Sequence, residues 1–250
     1  MIETRPHGKI LEVHLARPPV NALNGALLAA LRDALVDAPA HGAEAIVVSG
    51  GDKVFSAGLD VPELMTLDRD ALERTWREFF GVCETLARSP VPVAAAIGGH
   101  APAGGAVLSL FCDYRVMAHG PFRIGLNETQ VGLVVPDCIQ YAYRRLLGPR
   151  NAEHLLMLGA MLEAEEALRI GLVDELVAPE QVLTRAVAWL DALLLVPRKP
   201  MLATRAMARA DLVEAISDPR RLDLPRFLDE WFTEETQAVL RALVTRLKGG

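Results

Sequence analysis

The sequence is short of the features that mark several large protein classes. It has 3 cysteines in 250 residues. Cys83, Cys112 and Cys138 lie far apart, so no pair has metal-ligand spacing and no disulfide framework is expected. Three reduced and mostly buried thiols are the expectation. A basic excess is missing: the net charge of -6 argues against a nucleic-acid-binding surface, while leaving room for a local basic pocket for a phosphate. Met1 to Ile10 carries Glu3, Arg5 and Lys9 in place of the apolar core of a signal peptide, and a cytoplasmic location is the default expectation. One stretch, Ser89 to Cys112, has no Asp, Glu, Lys or Arg over a length able to span a bilayer. Pro90, Pro92, Pro102 and the pairs Gly98-Gly99 and Gly104-Gly105 interrupt it. It reads as a buried strand, a turn and a buried helix, with no membrane role.

Several chemical motifs are also absent. No G-x-G-x-x-G follows a strand, and there is no P-loop, which disfavours nucleotide phosphate binding through those motifs. Ser56 and Ser109 are not in a G-x-S-x-G elbow, and the 6 histidines show no H-E-x-x-H spacing. His100 and His119 read as structural or incidental. No short-period repeat or low-complexity linker divides the chain.

What is present suits one large domain, or one domain with a helical appendage. Apolar residues make up 51%, enough for a substantial core. Lys9 to Ala16 reads as a strand. Asn24 to Val36 reads as a helix, with Leu27, Leu28, Leu31 and Leu35 at helical spacing. Ala43 to Ser49, Val91 to Ile97, Tyr114 to Ala118 and Leu172 to Val177 read as strands. Asp70 and Glu73 form a candidate capping box for a helix closed by Ser89-Pro90. On that helix Leu72, Trp76, Phe79, Phe80, Cys83 and Leu86 mark one face, read as core rather than a ligand cage. Helices are expected from Gly104, near Asp137 to Leu147, Arg150 to Leu158 and Glu163 to Ile170, and almost exclusively after Pro179. The cluster Glu163, Glu165, Glu166 is expected to face solvent. Strands alternating with helices indicate an α/β fold.

Three segments have the composition of a site. Phe55-Ser56-Ala57-Gly58-Leu59-Asp60 follows a buried strand, and its small residues permit close backbone approach to a ligand. Ala101-Pro102-Ala103-Gly104-Gly105 links a strand to a helix start, where backbone N–H groups are free. Two such N–H groups converging on one point would form an oxyanion hole. In Ile124 to Pro136, Glu128 is a lone carboxylate in a largely uncharged stretch. Apolar walls would raise its pKa and suit it to proton abstraction.

Together these segments resemble the crotonase (enoyl-CoA hydratase/isomerase) family over most of the chain. Pro19-Val20-Asn21-Ala22-Leu23-Asn24 resembles its N-terminal signature, Phe55 to Asp60 its first oxyanion loop and Gly99 to Arg115 its second. Leu147 to Val177 resembles its C-terminal signature. Within the family, PAGG, CDYR and IGLNETQ are most similar to the mitochondrial-type 3,2-trans-enoyl-CoA isomerases. The resemblance implies a superhelix of β-β-α turns, residues 1–195 as the acyl-CoA-binding core, and residues 196–250 as a helical trimerisation region of the same fold. It implies an acyl-CoA thioester as substrate, with no metal or redox cofactor, and a homotrimer or hexamer. By motif position, Ala57 and Gly104 would supply the oxyanion hole and Glu128 the catalytic carboxylate. Ala57, Gly58, Leu59, Asp60, Val61, Gly104 and Asn127 would contact substrate.

Hydratases of the family use two glutamates, the first lying three residues after the second oxyanion glycine. Here that residue is Val107, which neither orients nor deprotonates water. The expectation is therefore isomerisation of a 3-enoyl-CoA to the trans-2-enoyl-CoA of fatty acid β-oxidation. The alternatives are hydration, thioester hydrolysis, or acyl-CoA binding without turnover.

Overall fold

Short apolar runs bounded by glycine and proline become the middle of a parallel sheet; helices between the strands cover one face, and a helix that follows the last strand covers the other. The structure, a computed structural model, describes residues 1–249. The chain runs through β1 (Ile2–His7), β2 (Ile10–Leu15), α1 (Gly25–Ala40), β3 (Ala45–Ser49), α2 (Val61–Leu64), α3 (Arg69–Arg88) and β4 (Val93–Ile97). It continues through β5 (Ala101–Pro102), α4 (Gly104–Leu110), β6 (Tyr114–Ala118), β7 (Arg123–Gly125), a 3-10 turn (Glu128–Val131), α5 (Asp137–Leu158), β8 (Leu162–Glu163), α6 (Ala164–Ile170) and β9 (Glu175–Val177). The remainder is helical: α7 (Val182–Leu194), α8 (Arg198–Ala208), α9 (Ala210–Ser217), α10 (Pro219–Leu222), α11 (Leu224–Trp231) and α12 (Glu234–Gly249), after a single 3-10 turn at Pro179–Gln181.

The main sheet has the order β1-β2-β3-β4-β6-β9, with β1 antiparallel to β2 and every other pair parallel. A second small sheet has the order β5-β7-β8. Buried on both faces, β3 and β4 carry uninterrupted apolar runs because alternate side chains enter different cores. Ile46, Val48, Val93, Ala95 and Ile97 join the large core containing residues of α1, α3, α4 and α5. Ala45, Val47, Ala94 and Ala96 meet Val182, Ala186 and Leu190 of α7. The α/β class expected from the sequence is the one observed.

Local chemistry explains the boundaries and corrects some expectations. Asn24 caps α1, its side chain accepting from the Leu27 amide at 3.0 Å. The cap of α3 is Asp68, which accepts from the Ala71 amide at 2.8 Å, and not the expected Asp70–Glu73 box; Glu73 instead pairs with Arg77 one turn on. The two helices expected at 137–147 and 150–158 are both present as the arms of α5, separated where Gly148 takes the non-helical φ 73° ahead of Pro149. The strand expected from Leu172 shortens to β9, while Leu172 and Val173 are buried in the core. All three cysteines are free and buried, as expected.

The region after residue 195 folds back on the core. Asp113, between α4 and β6, is held by Arg205 at 2.8 Å and Arg209 at 3.0 Å. Phe227 and Trp231 of α11 meet the Trp76 ring edge-on, at centroid distances of 4.5 and 6.3 Å. Gly250, the last residue of the expected helical region, lies outside the described residues. Among the described residues no helix is long and apolar enough to cross a membrane.

Candidate active site

The N-terminal signature and the first glycine loop were separate motifs in the sequence; in the fold they are one hydrogen-bonded unit. Asn21, held at φ 50°, donates through Nδ2 to the Phe55 carbonyl at 3.1 Å and accepts the Arg17 amide at 2.8 Å. Ser56 Oγ donates to the Asn21 carbonyl at 2.8 Å and accepts the Gly58 amide at 3.2 Å. The Leu23 amide donates to Gly58 O at 2.8 Å, and the Asp60 amide to Leu23 O at 3.0 Å. These bonds fix the path of Ser56 to Asp60 against the Pro19–Asn24 segment.

The second glycine loop seats against the first. Gly58 adopts φ +81°, and a Cβ there would stand 3.0 Å from the Gly104 amide nitrogen. A Cβ on Gly105 would fall 2.4 Å from Ser56 O, which no side chain tolerates. Ala103, between Pro102 and Gly104, takes the strained conformation φ 46°, ψ −120°, with its own amide bonded to Gly125 O at 2.8 Å. The bend delivers Gly104 as the first residue of α4, where its amide has no intrahelical acceptor.

This geometry corrects one expected pair. The Ala57 amide already donates to Val20 O at 2.9 Å, so it is not available as an oxyanion donor. The free amide of the first loop is that of Leu59: its neighbours Gly58, through its carbonyl, and Asp60, through its amide, make the two bonds to Leu23 that bridge across it, and the Leu59 amide has no acceptor among the described residues. It lies close to Gly104, 3.4 Å from where a Gly104 Cβ would sit. The two unbonded amides beside the Gly58–Gly104 contact are thus those of Leu59 and Gly104.

Both residues line a cavity of about 740 Å³. Of the residues expected to contact substrate, Ala57, Leu59, Asp60, Val61, Gly104 and Asn127 line it with Glu128, whereas Gly58 packs behind the wall against Gly104. Asp60 has two other duties: its carboxylate caps α2 by accepting the Glu63 amide at 3.1 Å, and it pairs with Arg17 at 2.7 Å. Val131, Leu133, Val134 and Val135 form one wall, and Val107 another. Trp76, Phe79 and Phe80, read as core from their helical spacing, are buried and also line the cavity, as do Phe227, Leu243 and Leu247 from the C-terminal helices. The amphipathic stripe of α3 was the available signal, but spacing alone does not tell a core from a cavity wall. His100 and His119 are elsewhere: His100 Nδ1 accepts the Arg123 amide at 3.1 Å, and His119 pairs with Glu165 at 3.0 Å. Glu163, Glu165 and Glu166 have side chains 68%, 59% and 42% exposed, the solvent-facing cluster expected.

Glu128 opens a 3-10 turn that is tied down at both ends. Its carbonyl accepts the Leu133 amide at 2.9 Å, Thr129 Oγ1 donates to Leu156 O at 3.1 Å, and Thr236 Oγ1 donates to Gly132 O at 2.9 Å. Glu128 lines the cavity, yet its Oε2 is sealed from solvent with no hydrogen-bond partner, as is Asn127 Oδ1. Burial in apolar surroundings pushes the Glu128 pKa up to about 7, opposed only by its own backbone amide. The other ionisable side chains on the cavity wall, Arg17 and Asp60, neutralise one another. The arrangement offers one carboxylate near its neutral point, two unbonded amides and apolar walls.

Comparison with known proteins gives this arrangement a context. Residues 5–243 match the profile of the family "Enoyl-CoA hydratase/isomerase". Mouse mitochondrial enoyl-CoA delta isomerase 1 is 32% identical over 99% of this chain and 87% of its own length. A probable enoyl-CoA hydratase, echA17, of Mycobacterium avium is 35% identical over 77% of this chain and 75% of its own. The crystal structure of human mitochondrial delta3-delta2-enoyl-CoA isomerase superposes with a TM-score of 0.94 at 30% identity, covering 99% of this chain and 98% of that one. A family match across nearly the whole length, with the two glycine loops seated against each other as found here, establishes that the chain belongs to the enoyl-CoA hydratase/isomerase (crotonase) family.

Proposed function

We propose that this acyl-CoA enzyme is a Δ3,Δ2-enoyl-CoA isomerase of fatty acid β-oxidation, with Glu128 as its proton shuttle. The observation that carries the reading is the Glu128 carboxylate, one oxygen of it sealed and unpartnered, on the wall of an apolar cavity that Val107 also lines, at the position where the family resemblance puts the hydratases' other glutamate.

The substrate is a 3-enoyl-CoA, cis or trans, whose C2 protons are acidified by both the thioester and the neighbouring double bond. Glu128 removes one. Negative charge moves to the thioester oxygen, which the Leu59 and Gly104 amides hold more strongly as an oxyanion than as a neutral carbonyl. The same carboxyl group returns the proton to C4, giving the conjugated trans-2-enoyl-CoA. Protons balance, and no redox step occurs. A base with a pKa near 7 is partly ionised at neutral pH yet basic enough to act, which is the compromise general-base catalysis favours. Apolar walls limit water, and Val107 supplies no group to activate it.

Hydration is the second reading, supported by the hydratase name of a relative at 35% identity. The purified protein separates the two. With a 3-enoyl-CoA, isomerisation raises the ultraviolet absorbance of the conjugated thioester; with a trans-2-enoyl-CoA, hydration lowers it. Rapid hydration without conjugation would replace the isomerase reading. Binding of several acyl-CoAs with neither change would leave a non-catalytic binding protein. A homotrimer or hexamer and a cytoplasmic location belong to the same proposal. Assembly is supported by the solvent-exposed Met157 and Leu158 on α5 and Leu195 and Met207 beside and on α8. Sedimentation reads it directly.

A further inference from the structure

α4 presents the Gly104 amide at its first residue, and its other end is held by two buried arginines. The last carbonyls of a helix have no donor within it. Here Arg209 Nη2 donates to Phe111 O at 2.6 Å, and Arg115 Nη1 donates to Cys112 O at 3.1 Å and lies 3.3 Å from Ser109 O. Arg209 Nη1 lies 3.5 Å from Cys112 O. A cation at this end of a helix is electrostatically favourable. Arg115 follows closely in sequence, on β6. Arg209 comes from the C-terminal helical region, where it joins α8 to α9. The two are only 4% and 7% exposed. Each is paired, Arg115 with Asp174 at 2.7 Å and Arg209 with Asp113 at 3.0 Å, yet the Nε of each is buried without a partner. Burying guanidinium groups in this way is costly, so anchoring alone is a weak reason for the second one. The C-terminal region already has an anchor: Arg205 of α8 binds Asp113 at 2.8 Å and Ser89 O at 2.6 Å, and makes no hydrogen bond to the carbonyls that end α4 among the described residues.

The N-terminal end of α4 has no clearance. A Cβ on Gly105 would fall 2.4 Å from Ser56 O, and one on Gly104 would stand 3.2 Å from Gly58 Cα, so the helix abuts the first glycine loop. The chain enters it through Ala103, whose strained conformation persists only where the surroundings hold it. Between its two ends α4 is wholly buried and, at 1.5 Å per residue, roughly 10 Å long. A shift at one end of so short a helix is therefore a shift at the other. We propose that Arg209 is a positioning residue for the oxyanion hole: by gripping the carbonyls that end α4 it keeps the Gly104 amide seated beside that of Leu59. The inference rests on the reading of those two amides as the oxyanion hole. It gives α8 and α9 a part in the chemistry without any contact with substrate, because a misplacement of about 1 Å from a distant change is enough to slow catalysis.

The test is Arg209→Met, which keeps an apolar stem and removes the donors, beside Arg205→Met, which removes the other partner of Asp113. The probe is octanoyl-CoA labelled with ¹³C at the thioester carbonyl. It has no double bond to move, and its carbonyl stretch, read by isotope-edited infrared difference spectroscopy, reports how strongly the two amides polarise that bond. Bound to the parent, the band should lie below that of free octanoyl-CoA. In Arg209→Met about half of the downshift should be lost, since one of the two donors moves. There kcat for a 3-enoyl-CoA should fall about tenfold with KM within a few-fold, a displaced donor costing less than a deleted one, for which about 10²–10³ is typical. Arg205→Met should lower Tm and keep the downshift. A full downshift in Arg209→Met overturns the proposal, and so does an equal loss in both variants, which marks docking of the C-terminal region alone. If Arg209→Met does not fold, Arg209→Lys leaves one ammonium in place of the two-armed guanidinium; its downshift must be smaller than the parent's, and a parental band overturns the proposal. No downshift in the parent would remove the oxyanion reading itself, whereas a downshift indifferent to Arg209 removes only its positioning role.

Discussion

Two glutamates are drawn out of solvent in this molecule, and their surroundings treat them in opposite ways. Glu12, on β2, is 1% exposed. Its carboxylate accepts from Ser49 Oγ at 2.6 Å, meets His7 Nε2 at 3.0 Å and lies 3.4 Å from Arg5. Burial raises its pKa, but the bonds from Ser49 and His7 and the charges of Arg5 and His14 outweigh that, and the net value is lowered. Glu128 has burial opposed only by its own backbone amide, and its pKa rises to about 7. The difference teaches what a buried carboxylate is for. A satisfied one is a fixed anion that joins strands; an unsatisfied one is held ready to take a proton.

The sharpest way to break this comparison is to neutralise each acid in turn. Glu128→Gln should lower turnover by about 10²–10⁴-fold, the range for a lost general base, with acyl-CoA binding and the circular dichroism spectrum retained. Glu12→Gln should leave turnover within a few-fold. Were the two variants to lose activity equally, the distinction between them would be void. Stability separates them next, with opposite signs. The folded pKa of Glu128 lies above its ordinary 4.5, so its contribution is whole below pH 4.5 and is lost as pH climbs towards 7. Thermal melts of Glu128→Gln should match the parent at pH 4 and exceed it at pH 8, by on the order of 3 kcal/mol. For Glu12 the folded pKa is depressed. Its contribution is present above the ordinary value and disappears as pH falls through the lowered one. Glu12→Gln should therefore be less stable by about 1–3 kcal/mol at pH 7, and the deficit should narrow in acid.

The two acids also show where the sequence was legible. Glu128 stood out because its neighbours from Ile124 to Pro136 are largely uncharged, and low charge along the chain coincided with low polarity in space. Nothing along the chain singled out Glu12, which follows Arg5, His7 and Lys9; only the register of β1, β2 and β3 brings His7 and Ser49 to it. The two glycine loops were visible as motifs, but which amide remains free depends on bonds across the fold. The 2.9 Å contact with Val20 occupies Ala57, and the bridge to Leu23 leaves Leu59 open. β5, β7 and β8 have 2 or 3 residues each, too short for any periodicity, and exist because they pair with one another. β1 is mostly polar and largely exposed on the sheet edge, so no apolar alternation marked it.

The smallest expected effect concerns the carboxylate that is missing. Val107 is 2% exposed, lines the cavity and stands three residues after Gly104 on α4, so its side chain shares a face with the Gly104 amide. Val107→Glu would put a second acid into the same apolar space. Two carboxylates there cannot both ionise freely, so Glu128 should hold its proton to higher pH and isomerisation at pH 7 should fall. The new acid gives a water molecule its first anchor. A trace of 3-hydroxyacyl-CoA from trans-2-enoyl-CoA, measured by chromatography against Val107→Gln, is the expected outcome. The amount should be small, because Val131, Leu133 and the aromatic rings of α3 still limit water, and a base without a positioned nucleophile has little to activate. Hydration at no more than the Val107→Gln rate would show that dry walls, more than the absent second glutamate, set this cavity apart.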